Sequence, residues 1–227
     1  MGNKPAPTIT LAEEAYIRLR QEILICTLLP GEIITENKLA NRYEMSKTPI
    51  REALTQVCRE RLVQRLPGRG YMVAPITISE IHDLFDLRLI IETAVVDRVV
   101  ENSTPEQIAK LREITTVSYS LDDPKSQVQF LEANCRFHLI LAEPSGNIRL
   151  LRTLESLMID MDRLFHLGLR LRDSDQEMTK GHNEVVDALE SGDVEALRRL
   201  IISHISASKD RIMKAIMSGE LQPIQVM

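Results

Sequence analysis

From Ser79 to Met217 apolar residues recur at helical spacing, with Pro144-Ser145-Gly146 and Ser191-Gly192-Asp193 marking turns between helices. Such a stretch buries its apolar stripes by packing helix against helix, so most of the chain is expected to be an all-helical antiparallel bundle. The pattern predicts a long helix capped by Ser79, with Leu84, Leu87, Ile91 and Val95 turned inward. Further helices are predicted over 104–119, 126–143, 147–171, 174–189 and 193–217. About six helices of this size can close around a central cavity or form a solid bundle. Aromatic residues are only 4% of the chain and Trp is absent, so the core must be built from Leu, Ile, Val and Met. That usage suits packed helices better than a sheet sandwich.

The first part of the chain is built from shorter pieces. A helix is predicted from Thr10 to Thr27, with Tyr16, Leu19, Ile23 and Leu24 on its inner side, and Leu29-Pro30-Gly31 ends it. Thr35 has the chemistry to cap a short helix reaching Tyr43, and Ser46 to cap a third whose inner stripe is Ile50, Ala53, Leu54 and Val57. Residues 64–73 then form two extended runs around Pro67-Gly68-Arg69-Gly70, which predicts a β-hairpin. Three short helices followed by a basic hairpin is the order of a winged helix-turn-helix. A plain three-helix bundle shares the same apolar pattern. Ala74 to Thr77 reads as a linker. The expected division is therefore a polar arm over 1–9, a winged unit over 10–76 and a helical unit over 77–227.

Charge divides along the same line. Residues 1–76 hold 11 Lys/Arg against 8 Asp/Glu, a net of +3, while the remainder holds 17 against 25, a net of −8. Only the surface that faces phosphate need be positive, so an overall charge of −5 leaves room for a nucleic-acid partner. Cys26, Cys58 and Cys135 are widely spaced and odd in number, which argues against a disulfide framework or a thiolate zinc site and suits a reducing cytoplasm. No apolar run approaches the roughly 20 residues that span a bilayer, and the first residues lack the apolar core of a secretory signal.

A helix that enters the major groove needs a positioned N-terminus with short polar and cationic side chains. Ser46-Lys47-Thr48-Pro49-Ile50-Arg51 supplies one. Lys47 and Arg51 stand four apart and project from one face. Arg51 is the candidate for a bidentate contact to guanine, Lys47 reaches phosphate or base, and the Thr48 hydroxyl suits a phosphate. Arg69 at the hairpin tip suits the adjacent minor groove. A solvated basic face is the plainer reading of two cations, and the hairpin that follows weakens it.

In the helical part, Asn134 and His138 lie on one helix face with Leu131 and Leu141. His182 shares a stripe with Val185, Val186 and Leu189, and His204 with Leu197 and Ile201. Three inward imidazoles plus an amide oxygen can surround a divalent ion; each taken alone is more simply a satisfied core residue. His82 and His166 do not join the set. Arg88 has Glu92 one turn later, which fits an intrahelical ion pair as well as a pocket cation.

These residues carry a resemblance to a known family. Leu29-Pro30-Gly31, Thr35 to Ala40, Ser46 to Leu54 and Pro67 to Pro75 resemble the DNA-binding domain of GntR-type regulators nearly continuously over 11–76. The resemblance implies that Lys47, Thr48, Arg51, Arg69 and Gly70 touch DNA, with Asn37 standing where some members carry an Arg. It also implies a homodimer on a double-stranded operator with a short inverted repeat. Glu44, Cys26 and Arg61 depart from the pattern, replacing residues that are commonly Gly. Residues 79–215 resemble the FCD ligand-binding domain of FadR-type members, through Leu84 to Glu92, Asn134 to His138, Gly181 to Leu189 and His204.

That second resemblance implies a divalent metal (zinc, nickel or manganese) on Asn134, His138, His182 and His204. It further implies Arg88 as the residue that forks onto the carboxylate of a small organic-acid effector. Asn134 in place of the commoner Asp removes one negative charge, so weaker metal retention is expected. The sequence thus reads as a cytoplasmic transcription regulator, with the choice between repressor and activator left open, and not an enzyme. Two rivals stand beside this reading. One is a metal-dependent helical hydrolase or oxygenase with Glu184 as the nearest base in sequence, and the other is a DNA-binding dimer whose metal is purely structural.

Overall fold

The computed structural model of the protein describes residues 9–171 and 175–217. The polar arm expected over 1–9, apart from Ile9, the proposed helix start at Ser174 and residues 218–227 lie outside the described residues. Packing divides the chain between Ile76 and Thr77 into two compact units.

The first unit contains α1 (Leu11–Leu24), β1 (Ile33–Ile34), α2 (Glu36–Tyr43), α3 (Lys47–Arg59), β2 (Val63–Leu66) and β3 (Gly70–Val73). Thr10 starts α1 with a reciprocal cap: its hydroxyl accepts from the Glu13 amide, and the Glu13 carboxylate accepts from the Thr10 amide. Thr35 caps α2 through the Lys38 amide. Ser46 stands at the N-cap of α3 with extended backbone, yet its side chain makes no capping bond. Leu19, Ile23, Leu39, Ile50, Leu54 and Val57 are at most 1% exposed and form the centre of this unit's core. Each contributes about 1.5–3 kcal/mol by leaving water. Leu24, expected inside, is only half-buried, and Ala15 takes a place on the buried face.

The strands form an antiparallel sheet in the order β1-β3-β2, with Ile33 opposite Met72 and Arg65 opposite Tyr71. β1 is too short to carry a period. The hairpin closes through the Arg69 amide donating to the Leu66 carbonyl, with Pro67 and then Gly68 (φ 72°) at the corners, the pattern of a type II turn. A Cβ on Gly70 would lie 2.5 Å from the Ile34 carbonyl oxygen, so only glycine lets the wing close onto β1. Among the described residues three non-glycines adopt left-handed backbone: Cys26, Glu44 and Arg61, with φ of 54°, 55° and 60°. They are the three positions where this chain departs from glycine.

The second unit is helical: α4 (Ile78–Ala94), α5 (Val96–Asn102), α6 (Pro105–Ile114), α7 (Pro124–Ala142), a 3-10 turn (Glu143–Ser145), α8 (Ile148–Leu171), α9 (Asp175–Ser191) and α10 (Val194–Met217). α10 packs against α4, α5, α8 and α9, while α7 lies against α6 and α8. Two expectations change here. The cap of α4 is Thr77, not Ser79, because the Thr77 hydroxyl accepts from the Glu80 amide at 3.1 Å while Glu80 returns to the Thr77 amide. The helix is also rotated: Ile81, Phe85, Arg88, Ile91 and Glu92 face inward, Leu84 is half-buried and Leu87 is 43% exposed. α4 carries apolar residues on nearly every side, so the pattern alone leaves its rotation open, and the burial of Arg88 and Glu92 sets it. The helix expected over 104–119 ends at Ile114. No helix among the described residues is long and apolar enough to cross a membrane.

Candidate functional site

Two arrangements carry chemistry, one in each unit. In the winged unit Lys47, Thr48 and Arg51 are all exposed at the start of α3. A groove of about 400 Å³ brings Asn37, Lys47, Arg69 and Gly70 together with Arg65 and Tyr71. Thr48 and Arg51 do not line it. Arg51 instead donates from Nε and Nη2 to the two carboxylate oxygens of Glu36, at 3.0 and 2.7 Å. This fork holds the Glu36 carboxyl below the usual carboxylate range. It occupies the side edge of the guanidinium and leaves three of its five N–H donors, enough for an end-on contact to a guanine edge. Arg65 and Glu36 were not among the sequence candidates. Arg65 has a faint signal in its position just before the hairpin tip; the Glu36 partnership joins residues 15 apart and has none.

In the helical unit α7 supplies Asn134 and His138, α9 supplies His182 and α10 supplies His204. The ligand nitrogens of the three histidines lie within 4.8 Å of one another. All are buried, with His138 at 2%, His182 at 4% and His204 at 8% exposure. Phe137 stacks on His182 with centroids 4.0 Å apart, which fixes that ring. Gly181 admits the His204 ring: a Cβ there would lie 2.7 Å from His204 Nδ1. Burial pushes all three imidazoles below the usual histidine range, so each is neutral and retains a lone pair.

α4 contributes the charged side of this centre. Glu92 Oε1 accepts from Arg88 Nε at 2.6 Å, and Glu92 Oε2 faces His138 Nδ1 at 2.8 Å. Arg88 Nη2 reaches His138 Nε2 at 2.5 Å. A carboxylate on Nδ1 and a guanidinium on Nε2 are both satisfied only if His138 carries its proton on Nδ1. Burial alone would raise Glu92, but the Arg88 guanidinium and the hydrogen bonds from Arg88 and His138 outweigh it and hold the carboxyl below the usual carboxylate range. Arg88 is thus half of an intrahelical ion pair and also touches His138 of the histidine centre.

The donor set fits a divalent ion. Three neutral imidazoles converge, and a carboxylate orients one of them through its far nitrogen, as metal-bound histidines are commonly oriented. His182 Nε2 is buried without a hydrogen-bond partner, the condition of a nitrogen shaped for a ligand. Asn134 is buried one turn before His138; its Nδ2, a donor, is unpartnered, and only its Oδ1 has the lone pairs to ligate a cation. One feature opposes the ion: Arg88 already stands on His138 Nε2. A surface cavity of about 290 Å³ has Lys180, Gly181, Glu184, His204 and Arg211 in its wall, so the centre has an approach between α9 and α10. Arg211 was not among the sequence candidates.

The remaining candidates sort plainly. His82 is exposed, and His166 is buried on α8 outside the histidine cluster, with burial pushing it down to about 4. Cys135 is half-buried, and burial raises its thiol. Glu184, the base of the hydrolase reading, is exposed and pairs with Lys180 at 3.7 Å.

Comparison with known proteins places both units. Residues 11–73 match the gntR family of bacterial regulatory proteins, and residues 83–207 match the FCD domain. An HTH-type transcriptional regulator in an unstable DNA locus of Streptomyces ambofaciens is 30% identical over 89% of this chain and 85% of its own length. The HTH-type transcriptional repressor RspR of Escherichia coli K12 is 24% identical over 91% and 90%. Among solved structures, a transcriptional regulator GntR from Rhodococcus sp. RHA1 superposes with a TM-score of 0.66, at 22% identity over 90% of this chain and 98% of that one. These families and relatives are transcriptional regulators and not enzymes, so the hydrolase or oxygenase rival gains nothing from them.

Proposed function

The chain belongs to the gntR family of bacterial regulatory proteins and carries an FCD domain, and from that premise we propose that it is a cytoplasmic, FadR-type homodimeric repressor that reads a short inverted repeat. The observation that carries the reading is the exposed N-terminus of α3 beside the groove that holds Lys47, Arg65 and Arg69. Arg51 reads a base edge, braced by Glu36. Lys47, Thr48 and Asn37 meet the backbone or neighbouring bases, and the wing brings Arg69 and Gly70 to the adjacent groove. Lys47→Ala is expected to weaken operator and scrambled duplex alike, whereas Arg51→Ala weakens the operator alone. Anisotropy titrations on both duplexes separate the two roles.

In the helical unit His138, His182 and His204, with Asn134, hold a divalent metal; zinc, nickel and manganese all tolerate such donors. When bound, the ion supplies a Lewis-acid position for one oxygen of a small carboxylate. Arg88 forks onto the same carboxylate, and Glu92 keeps Arg88 and His138 in place. Binding of the acid shifts operator affinity only so far as it favours one arrangement of the two winged units in the dimer. Calorimetric titration of small carboxylates, with and without a chelator, tests this. Metal-dependent binding that changes operator affinity supports sensing, while metal without any carboxylate binding favours a purely structural ion.

A further inference from the structure

Resting on that metal-and-carboxylate reading, we propose that Arg88 and the divalent ion are alternative partners of one nitrogen, His138 Nε2, so that Arg88 sets how tightly this centre takes a metal.

The geometry leaves little choice. An imidazole in the Nδ1–H form has one lone pair, on Nε2, lying in the ring plane. Arg88 Nη2 takes it at 2.5 Å, and Glu92 on Nδ1 prevents the ring from offering its other nitrogen instead. An ion on Nε2 needs the same lone pair and the same space. It also meets a guanidinium that is 1% exposed and cannot be screened by water where it stands. Asn134 adds no charge to offset the ion, and Glu92 already balances Arg88. The metal-bound centre therefore requires Arg88 to leave His138.

Glu92 Oε1 lies beside Arg88 Nε, so the rigid guanidinium can turn as a unit and carry Nη2 off His138 while its counter-ion stays close. The displaced donors then lack a partner in a buried place, and a carboxylate is the group that satisfies them. Arg88 on His138 and Arg88 on a carboxylate are thus two states of one side chain, and only the second leaves room for the ion. Metal and acid assist one another, each clearing the position that the other needs.

The test is a Co²⁺ titration of the full chain, read by its visible d–d absorption, for the unaltered protein, Arg88→Gln, Arg88→Lys and His182→Ala. Arg88→Gln is expected to bind Co²⁺ at least tenfold tighter than the unaltered protein, with the same absorption bands, since the ligands are unchanged. Arg88→Lys, which replaces the planar fork spanning Glu92 and His138 with a shorter reach to a single nitrogen, is expected to loosen the hold on His138 Nε2 and tighten binding as well. It takes the place of Arg88→Gln if circular dichroism shows the latter to be misfolded. Equal or weaker binding by the folded Arg88 variants, with binding still lost in His182→Ala, overturns the proposal and leaves the metal reading standing. Binding that His182→Ala does not alter overturns both.

Discussion

In the winged unit the charged side chains stay at the surface, whereas the helical unit buries Arg88 and Glu92 among His138, His182 and His204. Residues 1–76 contain no histidine, and all five lie beyond them. The difference is one of what water can do. Exposed pairs such as Arg51–Glu36 and Lys38–Glu32 exchange partners at little cost, which suits a surface that trades its own carboxylates for phosphates. Buried pairs have lost their hydration and depend on one another, so any newcomer to the centre must rearrange the whole set.

The sharpest break of this contrast is at Glu92. Glu92→Leu strands Arg88 and removes the partner of His138 Nδ1, and we expect a loss of about 3–5 kcal/mol in folding stability by urea titration. A loss below roughly 1 kcal/mol would mean that water reaches the pair and the two units treat charge alike.

Acid separates the units next. His166 is held neutral with a value of about 4, against 6.5 ordinarily. Between those values the unfolded chain binds the extra proton. Stability is whole above about pH 6.5 and declines as the pH falls toward 4, by roughly 3 kcal/mol from this residue alone. Hydrogen exchange at pH 7 and pH 5 is expected to show protection lost across α7–α10 and little changed in α1–α3. Equal losses in both units would contradict it.

At the surface the effects are smaller and fall on binding. Arg51→Ala is expected to lower operator affinity by roughly ten- to a hundredfold while leaving the melting temperature where it was, because its only loss within the protein is an exposed pair. A melting shift of several degrees would show Arg51 to be structural. The smallest expected effect is a gain. Glu44→Gly and Arg61→Gly, both exposed with positive φ, each relieve left-handed strain and are expected to stabilise by about 1 kcal/mol in chemical denaturation.

The winged unit was legible from sequence because its signals are local. Thr35, Pro67-Gly68 and the stripe from Ile50 to Val57 each act within a few residues, and the three departures from glycine fall on the three left-handed non-glycine positions. The helical unit was legible one element at a time. Spacing shows that His138, His182 and His204 face inward, but their meeting joins helices 44 and 22 residues apart and is a property of packing. The rotation of α4 is not legible for the same reason: its apolar residues lie on nearly all sides, and the partner that buries Arg88 and Glu92, His138, comes from α7. Gly181 has no local signal of its role, because the His204 ring it admits comes from α10.

The most direct test of the account is selection of bound sequences from a random duplex library by the full chain and by Arg51→Ala. The account predicts that the unaltered protein enriches a short inverted repeat and that the variant loses preference at specific positions in each half. Failure of the unaltered protein to enrich any sequence, or identical enrichment by the variant, would contradict it.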